Sequence, residues 1–246
     1  IPEHSAAFSV LAIDNTISEF HQSALHRQIG NAGFGRRELL WRPVALAMAH
    51  LMPPHDYEAG DSLLIVDTES YQPEITLLKL IEYKEQLVPL RAFPKKIRKP
   101  RGSKWSGYSS ANIMEQLAHE LSDGEGALFS QLISGPFSGE YFKYLDQGES
   151  DDIWVRKGLN HSKLKLNGEM RKELKKSRIA GYGFDELRLE VERLSDDLDP
   201  TVILWHGLPA RLNSKSLEDP EQLLMSAEAI STGAAEYGRR RIAGEP

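Results

Sequence analysis

Asp67 closes the apolar run Leu63-Leu64-Ile65-Val66 and is followed by the polar residues Thr68, Glu69 and Ser70. An apolar run of this length between turn signals predicts a strand buried on both faces. Its acid then lies at the carboxyl end of the strand, where α/β sheets present ligand-binding and catalytic groups. The same residues also fit a plain hairpin whose turn begins with an Asp. A second candidate is the basic stretch Lys95, Lys96, Arg98, Lys99, Arg101 and Lys104, with Trp105 next to it. Cations interleaved with an aromatic can contact phosphates and stack on a base. They can equally grip an acidic protein, or form a solvated loop.

Other chemistries find no support. The chain of 246 residues contains no cysteine, which removes disulfides, thiolate catalysis and cysteine-held zinc. Its eight histidines never fall at His-x-x-x-His or His-Glu-x-x-His spacing. No Walker A loop and no Gly-x-Ser-x-Gly elbow occurs. A net charge of −6 argues against a general nucleic-acid coat and makes the basic stretch a local patch. No apolar run reaches bilayer-spanning length, so no membrane insertion is expected, and a cytoplasmic location is the expectation.

The elements that must position these residues read as follows. Phe8 to Ile13 is a strand, and Asp14-Asn15-Thr16 caps a helix from Ile17 to Ala32, with Phe20, Ala24, Leu25 and Ile29 at helical spacing. Pro43 opens a buried helix of small apolar residues, Val44 to Met52. Leu63–Val66, Ile75–Ile81 and Gln86–Phe93 form an antiparallel meander turning at Tyr83-Lys84-Glu85. Ser109 caps a helix running to about Leu121. Residues 134 to 180 read poorly and are taken as a small inserted subdomain. Phe184 to Leu198 is an amphipathic helix bearing Leu187, Leu189, Val191, Leu194 and Leu198. Thr201–Trp205 is a strand. Pro220 opens a helix with Leu223 and Leu224, and Ile230–Gly238 is a last helix.

In this order the pieces resemble the nucleotide-binding domain of the Hsp70 family, within the actin-like ATPase superfamily. The strand and helix Val10-Leu-Ala-Ile-Asp-Asn-Thr-Ile-Ser-Glu-Phe-His-Gln-Ser-Ala24 are similar to that family's strand, Asn and Gln/Ala-rich helix. Arg42-Pro-Val-Ala-Leu-Ala-Met-Ala49 stands where the family has Glu-Pro-Thr-Ala-Ala-Ala. The second phosphate motif, Asp-x-Gly-Gly-Gly-Thr, falls on Asp67 to Tyr71. The next Gly-Gly turn falls on Ser106-Gly107, and the adenosine motif on Val202-Ile-Leu-Trp-His-Gly-Leu-Pro-Ala-Arg211. The closing Gly-Ala-Ala helix is similar to Thr232-Gly-Ala-Ala235.

The resemblance implies an α/β fold of the actin-like (ribonuclease H-like) type, a mixed sheet flanked by helices with a small inserted subdomain. Residues 1–55 would end a first lobe, 56–133 and 181–246 would form the core of a second, and 134–180 the insert. It implies nucleotide contacts at Asp67, Thr68, Ser70, Gly107, Gly207 and Arg211, with Asp67 on the metal side and ATP or ADP with Mg as the cofactor. It also places the family's first phosphate loop before Ile1, and the start Ile1-Pro2 reads as that of a piece of something longer.

Departures from the family pattern bear on mechanism. Arg42 replaces the family's water-orienting Glu, and a guanidinium is no base at neutral pH. Thr68, Glu69 and Ser70 replace glycines that let amides approach phosphate, and Glu69 adds charge of the wrong sign. His206 replaces an adenosine-motif Gly. A degenerate domain acting as a scaffold or regulatory module, with a protein partner or client, is therefore expected. The alternatives are an active ATPase or chaperone-type domain completed by an N-terminal part, and a nucleic-acid- or partner-binding module using residues 95–105.

Overall fold

The protein is described by a computed structural model over residues 8–15, 17–52, 56–69, 73–92, 115, 153–157, 160–164, 184–214, 217 and 219–245. The basic stretch 95–105, Ser70, Gly107, all but Glu115 of the helix expected after Ser109 and most of 134–180 lie outside these residues. Of the last region only an antiparallel strand pair is described, β6 (Ile153–Lys157) with β7 (Asn160–Leu164).

The first strand, β1 (Ser9–Ile13), runs parallel to β2 (Arg37–Trp41), and α1 (Glu19–Asn31) connects them. The cap of α1 is Ser18, whose hydroxyl accepts the His21 amide, rather than the Asp14–Thr16 group expected. The apolar spacing in α1 also misleads. None of its residues is buried, and Phe20 is 78% exposed. Helix α2 (Arg42–His50) follows β2 without a loop, with Trp41 as its N-cap and Pro43 in its first turn. Pro43, Ala45, Leu46, Ala47 and Met48 are buried, which matches a helix that is apolar nearly all round.

A five-stranded sheet forms the centre. Its order is β5 (Gln86–Arg91), β4 (Glu74–Tyr83), β3 (Ser62–Asp67), β8 (Val202–His206), β9 (Gln222–Leu224). The strands β3, β4 and β5 are an antiparallel meander, while β8 and β9 run parallel to β3. Lys84 and Glu85 both take positive φ, 50° and 62°, the backbone that a two-residue hairpin turn requires. Every residue of β3 is buried, as expected of a central strand covered on both faces.

Side chains alternate across the pleat and so define two cores. Leu64 and Val66 pack with Leu77, Ile203 and Trp205 against α3 (Phe184–Leu198), through Phe184, Leu187, Val191 and Leu194. Leu63 and Ile65 pack with Leu78, Leu80, Val202 and Leu204 on the opposite face, against Leu46 and Ala47 of α2 and Ala229 of α5 (Ala229–Ala243). Helix α5 crosses α2 so closely that a Cβ built on Gly233 would lie 1.7 Å from the Ala45 carbonyl oxygen. The outer face of α5 continues under the β1–β2 pair, where Val10, Leu40, Ala45 and Ala234 meet. The fold is thus mixed α/β, a mixed sheet with helices on both faces.

Two expectations fail here. Leu189 stands two residues from Leu187, off the helical period, and is 58% exposed. Residues 222–224 are strand, not helix. The backbone of this segment pairs with β8 through Ile203 N to Glu221 O at 2.8 Å and Met225 N to Trp205 O at 2.7 Å. The Trp205 indole N–H also donates to Gln222 Oε1 at 3.0 Å. Pairing to a buried strand outweighs a weak local helix pattern.

Candidate site at the carboxyl ends of β3 and β8

Asp67 and His206 are register partners at the ends of two adjacent parallel strands. Both point to the side of the sheet that α2 covers, by the parity of Leu63 and Ile65 and of Val202 and Leu204. Helix α2 begins there, so its first residue, Arg42, faces Asp67. Arg42 Nε donates to Asp67 Oδ2 at 2.7 Å and Nη2 to Oδ1 at 3.1 Å, a bidentate pair. The same guanidinium lies 3.4 Å from Asp14 Oδ1, at the end of β1. Arg42 therefore joins the ends of three elements from both sheets.

Asp67 is fully buried. Its Oδ1 also lies 3.1 Å from His206 Nδ1 and accepts the Glu69 amide at 3.0 Å. An ionised carboxylate only accepts, so Nδ1 of His206 carries the proton. His206 Nε2 is buried with no hydrogen-bond partner among the described residues. Burial pushes the Asp67 carboxyl up, but hydrogen bonds from His206 and Arg42 and the Arg42 charge hold it well below the usual carboxylate range. Burial works against the Arg42 charge too, and the Asp67 carboxylate more than restores it.

The turn after Asp67 is tied to the end of β8. The Thr68 amide and hydroxyl both donate to the His206 carbonyl, at 2.8 and 2.7 Å. Gly207, with φ at 105°, brings its backbone against this turn. A Cβ there would meet Thr68 Oγ1 at 2.4 Å and the Glu69 nitrogen at 2.7 Å. It precedes the short helix α4 (Leu208–Leu212), whose Arg211 donates from Nη2 to the Met225 carbonyl at 2.8 Å. Burial pulls the Arg211 charge down against the nearby Glu69 and Glu228.

Of the residues expected to contact nucleotide, the structure brings together Asp67, Thr68, Gly207 and Arg211. Arg42 and His206 were visible in sequence only as departures from a motif, and here they are the two side chains that hold Asp67. A signal was available for both: each is a polar residue that ends an apolar run, Leu39-Leu40-Trp41 before Arg42 and Val202-Ile-Leu-Trp205 before His206. The second cross-link, Asn15 Nδ2 to Thr76 Oγ1 at 2.7 Å, had no such signal.

A magnesium–nucleotide does not fit these residues well. Both Asp67 oxygens already meet a cation or a donor. Among the described residues, no three His, Cys, Asp or Glu side chains converge as a metal requires. The Thr68 and Glu69 amides, which would cradle phosphate, are already bonded, to the His206 carbonyl and to Asp67 Oδ1. No protein-family model matches the chain, and a search of curated proteins found no match. Among the described residues no helix is long and apolar enough to cross a membrane.

Proposed function

We propose that this chain is an actin-like, Hsp70-like domain that is degenerate in nucleotide hydrolysis and acts as a scaffold or regulatory protein-binding module. One observation carries the reading: Arg42 occupies Asp67 at the strand ends where a metal-bound nucleotide would be held. Phosphoryl transfer depends on positioning and electrostatic stabilisation. Here the positioning carboxylate is neutralised from within and the turn amides are satisfied. A fixed guanidinium supplies the positive charge that an actin-like site takes from its metal, so the strand ends stay together without ligand.

The fold assignment has its own support. In β5-β4-β3-β8-β9 the first strand of the meander is central and pairs in parallel with β8, which pairs in parallel with β9, while β4 runs opposite. The ribonuclease H-like sheet on which actin-like domains are built has this order. Asp67 at the end of its central strand, with Gly207 after the neighbouring strand, also follows the motif order.

Calorimetric titration of the intact protein with Mg-ATP tests the reading. The expected result is no saturable heat and no phosphate release. Tight binding with turnover would overthrow it.

A further inference from the structure

A groove of about 560 Å³ runs along the outer edge of β2. One wall is a single face of α1, with Glu19, Gln22, Ser23 and His26 at helical spacing, and the floor is Glu38 and Leu39 of β2. The backbone of that edge is open among the described residues. The Ser9 amide donates to the Arg36 carbonyl, and Ser9 pairs with Arg37. In a parallel ladder this turns the backbone groups of Glu38 and Leu40 toward β1, and those of Arg37 and Leu39 outward.

The central sheet protects its edges and this one does not. Pro89 of β5 pairs with Leu80, whose own backbone bonds run to the opposite side, to Gly60 and Asp61. The backbone nitrogen of Pro89 therefore turns to the outer side of β5 with no donor to offer, a common edge device, and the residue itself is buried. At the other edge β9 is only three residues long. On β2 the one edge cation, Arg37, is folded away onto α1, with Nε on the His26 carbonyl at 2.9 Å and Nη1 on the Phe34 and Gly35 carbonyls. Outward amides and carbonyls beside a helix make the geometry by which an extended peptide adds as a strand.

We propose that the β2 edge captures an extended segment of a partner protein bearing basic side chains at alternate positions, held between β2 and α1. The backbone ladder to Arg37 and Leu39 gives affinity, and the α1 wall gives selectivity. Glu19, which makes no ion pair among the described residues, faces the alternate side chains and selects cations. The proposal deepens the scaffold reading and rests on it for the existence of a protein partner.

The test uses the full chain and a fluorescein-labelled Lys-Val-Lys-Val-Lys-Val peptide, read by polarisation. Saturable binding is expected. A peptide of equal charge with alternate backbone nitrogens methylated on the strand-pairing edge should bind at least tenfold more weakly. Leu39→Pro, which removes an outward donor and leaves the β1 ladder intact, should do the same. Glu19→Lys should weaken the basic peptide and favour a Glu-Val repeat. Equal binding of the methylated peptide would show a charge contact only and overturn the proposal, as would no binding at all. A dimer in sedimentation that Leu39→Pro abolishes would overturn it too, assigning the edge to a second copy. Failure here leaves the Mg-ATP result untouched, and ATP turnover would remove the scaffold reading without altering peptide binding.

Discussion

Arg42 and Asp67, twenty-five residues apart in the chain, form a bidentate ion pair in which the carboxylate has no solvent exposure and the arginine side chain is 17% exposed. The pair lies where the ends of β1, β3 and β8 meet the start of α2. Its guanidinium lies between Asp14 and Asp67 and holds together strand ends that otherwise carry two neighbouring negative charges.

Removing the cation alone is expected to be costly. Arg42→Ala leaves a buried carboxylate without its main partner, and a loss of about 3–5 kcal/mol in unfolding free energy follows. Replacing both partners, as in Arg42→Met with Asp67→Leu, should recover part of that loss, because an apolar pair avoids desolvating two ions, while His206 Nδ1 and the Glu69 amide lose their acceptor. Urea denaturation of the two single variants and the double variant gives the coupling directly. Strict additivity would mean that the pair is not coupled in solution.

Acid should reveal the same pair. The Asp67 carboxyl is held below its unfolded value, which is about 3.9. A depressed acid contributes stability that is complete above the unfolded value and drains as pH falls toward the folded one. The urea midpoint of the native protein should therefore fall between about pH 5 and pH 3. Asp67→Asn should be less stable at pH 7 and show a flatter profile over that range. A steeper profile in the variant would contradict the assignment.

How much of this was legible in the chain depends on whether the signal was local. The strand ending at Asp67, the small-residue helix after Pro43 and the amphipathic helix 184–198 each carry their own periodicity, and each appears within a few residues of its expected place. The last strand does not: Gln222–Leu224 is specified by its pairing with Ile203–Trp205, which no window around Pro220 contains. Asp67 was legible as a site residue because it ends an apolar run. Its partner His206 lies 139 residues away. Only the sheet topology brings it there, so spacing could not reveal the contact.

Two glycines at positive φ should respond differently to alanine. Gly33 has φ at 86° with open space around its missing Cβ, so Gly33→Ala should cost about 1 kcal/mol from backbone strain alone. Gly207 has φ at 105° and the Thr68–Glu69 turn against it. Gly207→Ala adds steric overlap to strain and should cost at least about 2 kcal/mol. Thermal and urea unfolding of both variants would check the difference. Equal costs would mean that the two turns do not touch in solution.

Alkali should act through the contact that ties α5 to β2. The Tyr237 hydroxyl donates to Glu38 Oε2 at 2.6 Å, and Arg241 Nη2 reaches Glu38 Oε1 at 2.8 Å. Burial and the Glu38 carboxylate together push the phenol up to about 12, against the pull of Arg241. The unfolded value is about 10, so the folded state holds this proton more tightly than the unfolded chain. The stability it contributes is whole below about pH 10 and is lost as pH rises through the folded value. Tyr237→Phe should remove that part of the alkaline loss, and in Glu38→Gln the phenol should ionise at lower pH in the phenolate absorbance. The two variants also separate roles for Glu38. If the β2 edge binds its peptide through the backbone, Tyr237→Phe keeps that binding at neutral pH while its alkaline profile changes. Loss of both together would mean that the α5 contact sets the position of the edge strand.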